Sequence, residues 1–144
     1  MIRRAFLLTA ALAALAGGAA AHSFGTGAVQ IGHPWALPSE GPQASAFVSL
    51  LNKGGAADRF VGADTDVAEK VVIHDLVQGK PAPVAGMDLA PNRPVALRPT
   101  ARELRLEGLK RPLKLGERFM MTLRFEKAAP VKVEVFVEDG QGGH

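Results

Sequence analysis

The sequence predicts an all-β domain, a sandwich or a barrel, from three observations. Apolar and polar residues alternate with a period of two in 119–126 and again in 131–138, and the short segment 127–130 joins these runs as a hairpin. Shorter strand-like runs recur from Val29 onward, with glycine, proline and asparagine turn signals between them. No stretch shows the 3.6-residue apolar period of an amphipathic helix. Such a succession is typical of sandwiches and barrels.

The elements follow from the same alternation, taken in chain order. We expect the first strand to start at Val29 and to end where His33, Pro34 and Trp35 interrupt it. The other predicted strands are 44–51, 59–63, 70–74, 84–89, 95–97 and 103–107, ahead of the hairpin. The predicted loops include 38–42, the proline-rich segment 78–83, and 112–116. In 103–107 the leucines face the core, so Glu103, Arg105 and Glu107 share the outer face.

The first 21 residues have the composition of an export signal. Arg3 and Arg4 form a basic start, residues 5–16 an apolar core, and Ala19–Ala21 an A-x-A cleavage signal. The apolar run is shorter than the about 20 residues that span a bilayer, so we expect no membrane span in the mature chain. We predict a periplasmic protein, exported by the general or the twin-arginine route. The chain then divides into an export signal (1–21), a β domain (22–138) and a flexible tail (139–144).

Charge and composition argue against several function classes. Without Arg3 and Arg4, 15 basic residues face 14 acidic ones, so the mature chain carries only +1. Nucleic-acid binding needs a concentrated basic surface, and we expect no such partner. The chain contains no cysteine, which excludes disulfides, thiolate metal ligands and cysteine nucleophiles. It contains no nucleophile-elbow motif either, and we predict that it is not an enzyme.

The histidines are the first candidates for metal ligands, and there are only four: His22, His33, His74 and His144. Cleavage after Ala21 makes His22 the first residue, whose α-amine and imidazole can chelate one Cu(II) ion together. The alternative is a frayed, solvated terminus that binds nothing. We expect His33, beside the only tryptophan, to have a structural role.

Several stretches together resemble the periplasmic copper chaperone family PCu(A)C. They cover nearly all of the mature chain: 33–36, 47–54, 61–74, and 108–127 continuing into the valine ladder of the last strand. The resemblance implies a cupredoxin-like Greek-key β-barrel that carries copper on two histidines and two methionines. It also implies a recipient, either a cytochrome c oxidase subunit or another copper-assembly factor.

The ligand pattern of that family is a histidine, ten residues, a methionine, twenty-one residues, then His-x-Met, and only His74 matches it. The His-x-Met positions fall on Glu103 and Arg105. Thioether sulfur selects Cu(I), whereas a carboxylate is a hard donor and Arg105 is a permanent cation. Met87 can complete a site with His74 if the intervening loop folds back; otherwise it fills the core.

The predicted metal ligands are therefore His74, Met87, Glu103 and His22, with copper bound as Cu(I) or Cu(II). Two alternatives stay open. One is a metal-free partner-binding or regulatory module on the same fold, with the outer face of 103–107 and the loop after His74 as its contact surface. The other is Cu(II) handling through the mature amino-terminus alone. A His74–Glu103 pair can also be no more than a hydrogen bond.

Overall fold

The structure, a computed structural model, describes residues 23–24 and 28–140, and the regular elements in these ranges are all β-strands. The predicted all-β class is confirmed. The predicted export signal, His22 and residues 141–144 lie outside the described residues. Nothing in the described ranges forms a helix long and apolar enough to cross a membrane. The strands are β1 (Ser23–Phe24), β2 (Val29–Ala36), β3 (Gln43–Asn52), β4 (Asp58–Thr65), β5 (Ala68–Val77), β6 (Lys80–Pro83), β7 (Met87–Leu89), β8 (Pro94–Ala96), β9 (Glu103–Leu109), β10 (Arg118–Phe125) and β11 (Val131–Val137).

The strands form one sheet that curls round on itself. Its order is β6-β5-β9-β3-β2-β11-β10-β4-β7, with β1 added to β2 and β8 added to β3. β2 runs parallel to β11 and antiparallel to β3. β4 and β5 lie far apart in this order, but the tight turn at 66–67 joins them and they contact each other. The sheet therefore wraps around a single core.

The core consists of the inward-facing residues of these strands. In the predicted hairpin, Met121 of β10 faces Val133 of β11 and both are buried, whereas Met120 points outward. Leu104 and Leu106 are buried as predicted. Burying one such side chain contributes about 1.5–3 kcal/mol. The largest fully buried side chains are Phe47, Phe60, Ile31, Leu50, Leu89, Leu104, Leu106, Leu113, Leu123, Val29, Val133 and Val135.

Three predicted strand ends are wrong: β5 continues past His74 to Val77, β7 begins at Met87 and not at Val84, and β2 extends beyond His33. β2 does not stop at His33 but continues to Ala36, and its register with β3 shifts between Gly32 and Trp35. His33 takes a positive φ of 37° within this irregularity. A bulge leaves a residue unpaired and tolerates a proline that cannot donate a hydrogen bond. Pro34 therefore bends the strand instead of ending it.

The predicted proline-rich loop is wrong as well, because it contains the edge strand β6. The N–H of Val84 donates to the carbonyl of Ile73 at 2.9 Å, and the register continues with Ala82 opposite Asp75. Hydrogen-bonded and non-hydrogen-bonded pairs alternate in an antiparallel ladder, so the nitrogens of Pro81 and Pro83 face away from β5. Proline is tolerated on an edge strand in this orientation.

Asp58, at the start of β4, fixes the loop between β10 and β11. Its Oδ1 accepts the backbone N–H groups of Arg59 and Lys127 at 2.7 and 2.8 Å, and its Oδ2 accepts that of Ala128 at 2.9 Å. Burial raises the pKa of the Asp58 carboxyl, but these three hydrogen bonds and the Lys127 charge outweigh burial and lower its pKa below the ordinary value. Asp58 is therefore held as an ion that organises three backbone donors.

The turn before β9 contains a strained threonine. The N–H of Ala101 donates to the carbonyl of Arg98 at 3.1 Å, with Pro99 and Thr100 between them, and Thr100 has a φ of 68°. A turn with proline second and a positive φ third favours glycine in the third place. We expect Thr100→Gly to raise the free energy of unfolding by about 1 kcal/mol in urea unfolding.

The neighbouring residue is the matched control for that substitution. Ala101 has an ordinary φ, so Ala101→Gly gains no relief of strain and lowers stability by about 0.5–1 kcal/mol. A Thr100→Gly protein that is no more stable than the unsubstituted one contradicts the prediction.

Candidate functional site

His74 and Glu103, two of the predicted ligands, are neighbours on the sheet. His74 on β5 lies between its cross-strand partners, Pro83 on β6 and Glu103 on β9. His74 is only 4% exposed, and its Nδ1 lies 3.3 Å from the carbonyl oxygen of Val72. Cβ atoms of directly opposed residues are about 4.5–5.5 Å apart. The two side chains are therefore close enough to share a ligand.

Glu103 already has a cationic partner. The guanidinium of Arg105 donates to its carboxylate at 2.7 Å. Burial raises the pKa of Glu103, but hydrogen bonds from Ser45 and Arg105, with the charges of Arg105 and His74, outweigh burial and leave the pKa below its ordinary value. The carboxylate is thus held as an anion by the protein itself.

Met87 lies in the hydrophobic core and not on the outer face of β9. On β7 it pairs with Phe60 of β4, and it is 4% exposed. Gly86 permits this packing, because a Cβ there would lie 2.7 Å from the carbonyl oxygen of Phe60. The structure thus brings His74 and Glu103 together and places Met87 inside the barrel.

This donor set fits Cu(I) poorly. Cu(I) favours thioether sulfur, whereas the side chains next to His74 on this face belong to an ion pair of Glu103 and Arg105. A guanidinium at this distance opposes a bound cation. Across residues 23–24 and 28–140 no three His, Cys, Asp or Glu side chains cluster so that they could hold a metal.

A second imidazole stands elsewhere, at the bulge of β2. The Nε2 of His33 lies 3.2 and 3.3 Å from the two carboxylate oxygens of Glu138, which follows β11. The His33 side chain is 45% exposed, far more than that of His74. From the sequence we predicted only a structural role for His33, and Glu138 was not among the predicted ligands. The two residues are 105 positions apart, and the parallel pairing of β2 with β11 brings their strands side by side.

A cleft of about 400 Å³ opens beside His33, and we call it the Trp35 cleft. The ring of Trp35 lies 4.6 Å from that of Phe47 between centroids, and a Cβ at Gly140 would lie 3.5 Å from the indole. The lining residues are His33, Trp35, Val48, Ser49, Leu97, Arg98, Pro99 and Gly140.

The fold that holds these residues is that of PCuAC domains. The structure matches a copper-bound PCuAC domain from PmoF2 with a TM-score of 0.73 and 28% identity, over 82% of this chain and 98% of that one. The apo PmoF2 domain matches with a TM-score of 0.74 and 27% identity, over 85% and 99%. The solution structure of CuI-DR1885 from Deinococcus radiodurans, 24% identical over 77% and 80% with a TM-score of 0.63, shows the same fold. The predicted PCu(A)C resemblance and cupredoxin-like fold are confirmed.

The sequence also places the chain in a named family. The family model described as "Putative lipoprotein LpqE-like" matches residues 29–137, and the chain belongs to this LpqE-like family. A relative from Leifsonia xyli subsp. xyli, named "Putative lipoprotein Lxx21020", is 28% identical over 121 residues, which are 81% of this chain and 73% of the relative.

Proposed function

We propose that this chain is an exported, copper-chaperone-like domain that binds its cargo through nitrogen and oxygen donors. Two lines support copper as the cargo: the fold shared with a copper-bound PCuAC domain at 28% identity, and an exposed imidazole in contact with a half-buried carboxylate. Nitrogen and oxygen donors suit Cu(II), whereas the thioethers that select Cu(I) are missing beside His74.

The contact of His33 with Glu138 is the observation that carries the proposal. Ser23, the residue after His22, pairs with Gly32, the residue before His33. Cleavage after Ala21 gives His22 a free α-amine beside its imidazole. The α-amine and the imidazole of His22, with the imidazole of His33, are three nitrogen donors from two residues. Such a set suits Cu(II).

Glu138 supplies the oxygen donor of the proposed site. Nitrogen and oxygen ligands of one ion, each about 2.0–2.2 Å from it, are about 3 Å apart. The observed 3.2 Å between His33 Nε2 and the Glu138 carboxylate therefore needs little adjustment. The predicted pair of His74 and Glu103, without Met87, is the competing location for copper, with Arg105 opposing a cation there.

Copper titration of matched histidine variants tests the proposal. On protein that begins at His22, we expect His33→Ala to weaken Cu(II) binding roughly tenfold or more and His74→Ala to leave it unchanged. One extra residue before His22 should also weaken binding, because it moves the α-amine away. Since Trp35 is the only tryptophan and the chain has no tyrosine, quenching of its emission reports binding near His33, and a competing chelator gives the affinity.

Each contrary outcome of this titration has a distinct meaning. A loss of affinity in His74→Ala but not in His33→Ala places the cargo at His74 and Glu103. An absence of copper binding by every variant leaves the metal-free partner-binding module, which the mutual pairing of Glu103 and Arg105 favours. Mass measurement of the exported protein tests cleavage after Ala21.

We further propose a periplasmic location and, as recipient, a copper-assembly factor or a subunit of cytochrome c oxidase. The export signal in residues 1–21 supports the location, together with the lipoprotein names of the family and the relative. The resemblance to PCu(A)C chaperones supports the recipient.

A further inference from the structure

We propose that the Trp35 cleft binds a small organic carboxylate, with Arg98 as the cation that recognises it. This inference rests on the proposed function only where it connects the ligand to copper. Binding of the carboxylate itself requires no metal.

The size and lining of the cleft suit a small molecule. Its volume of about 400 Å³ falls in the range of about 300–1,000 Å³ that is usual for ligand sites. Apolar surface comes from Trp35, Val48, Leu97 and Pro99, and polar groups come from His33, Ser49 and Arg98. Ligand sites commonly combine apolar walls with a few polar groups that orient the ligand, and this cleft offers both.

Arg98 differs from most other arginines of the domain. Six arginines pair with carboxylates: Arg59, Arg102, Arg105, Arg111, Arg118 and Arg124. The exposed side chain of Arg98 lines the cleft and has no carboxylate partner among residues 28–140. A guanidinium binds a carboxylate through two parallel hydrogen bonds. The positive charge of Arg98 at the rim of the cleft therefore selects an anion, and the planar guanidinium favours a carboxylate.

Backbone strain on both sides of the cleft is an independent observation. His33, which lines the cleft, has a φ of 37°, and Thr100, next to the lining residue Pro99, has a φ of 68°. Positive φ is unfavourable for residues other than glycine, and such strain clusters at ligand sites. Two of the four non-glycine residues with positive φ in the described chain thus flank this cleft.

The position of His33 connects this ligand with the cargo. His33 belongs both to the cleft and to the proposed copper site, so a carboxylate held by Arg98 lies beside the ion. Such a carboxylate can serve as a further ligand of the ion. The class of ligand that we infer is therefore a small carboxylate that also coordinates copper, as the carboxylate of an amino acid does.

Benzoate binding to metal-free protein tests this inference. We expect saturable binding of benzoate, followed by calorimetry and by Trp35 emission, and binding of the neutral benzamide at least tenfold weaker. Arg98→Gln should weaken benzoate binding tenfold or more. Arg93→Gln, an exposed arginine that does not line the cleft, is the matched control and should leave binding unchanged. Equal affinity for benzoate and benzamide, no binding, or an unaffected Arg98→Gln protein overturns the inference.

A second measurement separates this inference from the proposed function. Benzoate should tighten Cu(II) binding to the unsubstituted protein but not to Arg98→Gln, and equal tightening in both overturns the connection to copper. Because the first titrations contain no metal, a failure of copper binding at His33 leaves the carboxylate result standing. A failure of benzoate binding likewise leaves the His33→Ala result standing.

Discussion

Asp58→Ala should lower the free energy of unfolding by about 3–5 kcal/mol, because three backbone N–H groups lose their acceptor at once and each costs about 1–3 kcal/mol if left unpaired. The donors belong to Arg59, Lys127 and Ala128, so the loss detaches the β10–β11 loop from the start of β4. Urea unfolding measures the change. Asp64→Ala is the control: Asp64 pairs with Arg124 at the surface, and such pairs contribute about 0–1 kcal/mol. Equal effects of the two substitutions contradict the prediction.

The same carboxylate gives the stability a defined dependence on pH. Because the pKa of Asp58 is lower in the folded protein, its contribution is fully present above its ordinary pKa of about 4 and is lost as the pH falls through the folded value. Glu103, whose pKa is also lowered in the folded protein, contributes to the pH dependence of stability in the same direction. The urea concentration at the midpoint of unfolding should therefore decrease as the pH is lowered below about 4. This decrease should be less steep in Asp58→Asn. An equally steep decrease in Asp58→Asn excludes Asp58 as a source of the pH dependence.

Rebuilding thioether and imidazole donors beside His74 should create a Cu(I) site. Residues 103 and 105 lie on the face of β9 next to His74 and Val72 of β5. The double substitution Glu103→His and Arg105→Met therefore places a second imidazole and a sulfur beside His74, and it removes the opposing guanidinium. Soft donors favour Cu(I), and we expect its affinity to rise roughly a hundredfold or more, measured against a Cu(I) chelator.

Two controls assign that gain to the new ligands. Glu103→Gln with Arg105→Met removes the ion pair but supplies no second imidazole, so it should gain far less. His74→Ala in the rebuilt protein should abolish the gain. A rebuilt protein that binds Cu(I) no better than the original shows that burial of His74, and not the identity of its neighbours, prevents binding.

Local sequence was sufficient for the β class because that class depends on alternation within single strands. Leu104 and Leu106 face inward and the final hairpin pairs as predicted, since both depend on neighbouring residues only. Two of the errors concern prolines. Pro34 lies in a bulge, and Pro81 and Pro83 lie on an edge strand, where a missing N–H does little harm. Sequence alone does not reveal which side of a strand lacks a partner.

The candidate site was predictable only where ligands are near in sequence or match a spacing. His74 and Glu103 were predicted together, and the structure pairs them across β5 and β9. Glu138 was not predicted as a ligand, because its contact with His33 depends on strands from the two ends of the chain. The meeting of Arg98 with Trp35 around one cleft likewise depends on β3, which pairs with β2 on one side and with β8 on the other.

The prolines of β6 limit how this domain meets other molecules. Since Pro81 and Pro83 turn their nitrogens away from β5, the free side of β6 offers acceptors but almost no donors to an incoming strand. A foreign chain cannot extend the sheet there, which disfavours the edge-to-edge growth that begins aggregation. His74 lies one strand inside this edge. A partner that approaches it must therefore dock through side chains on the surface, and such contacts separate more readily than an added strand.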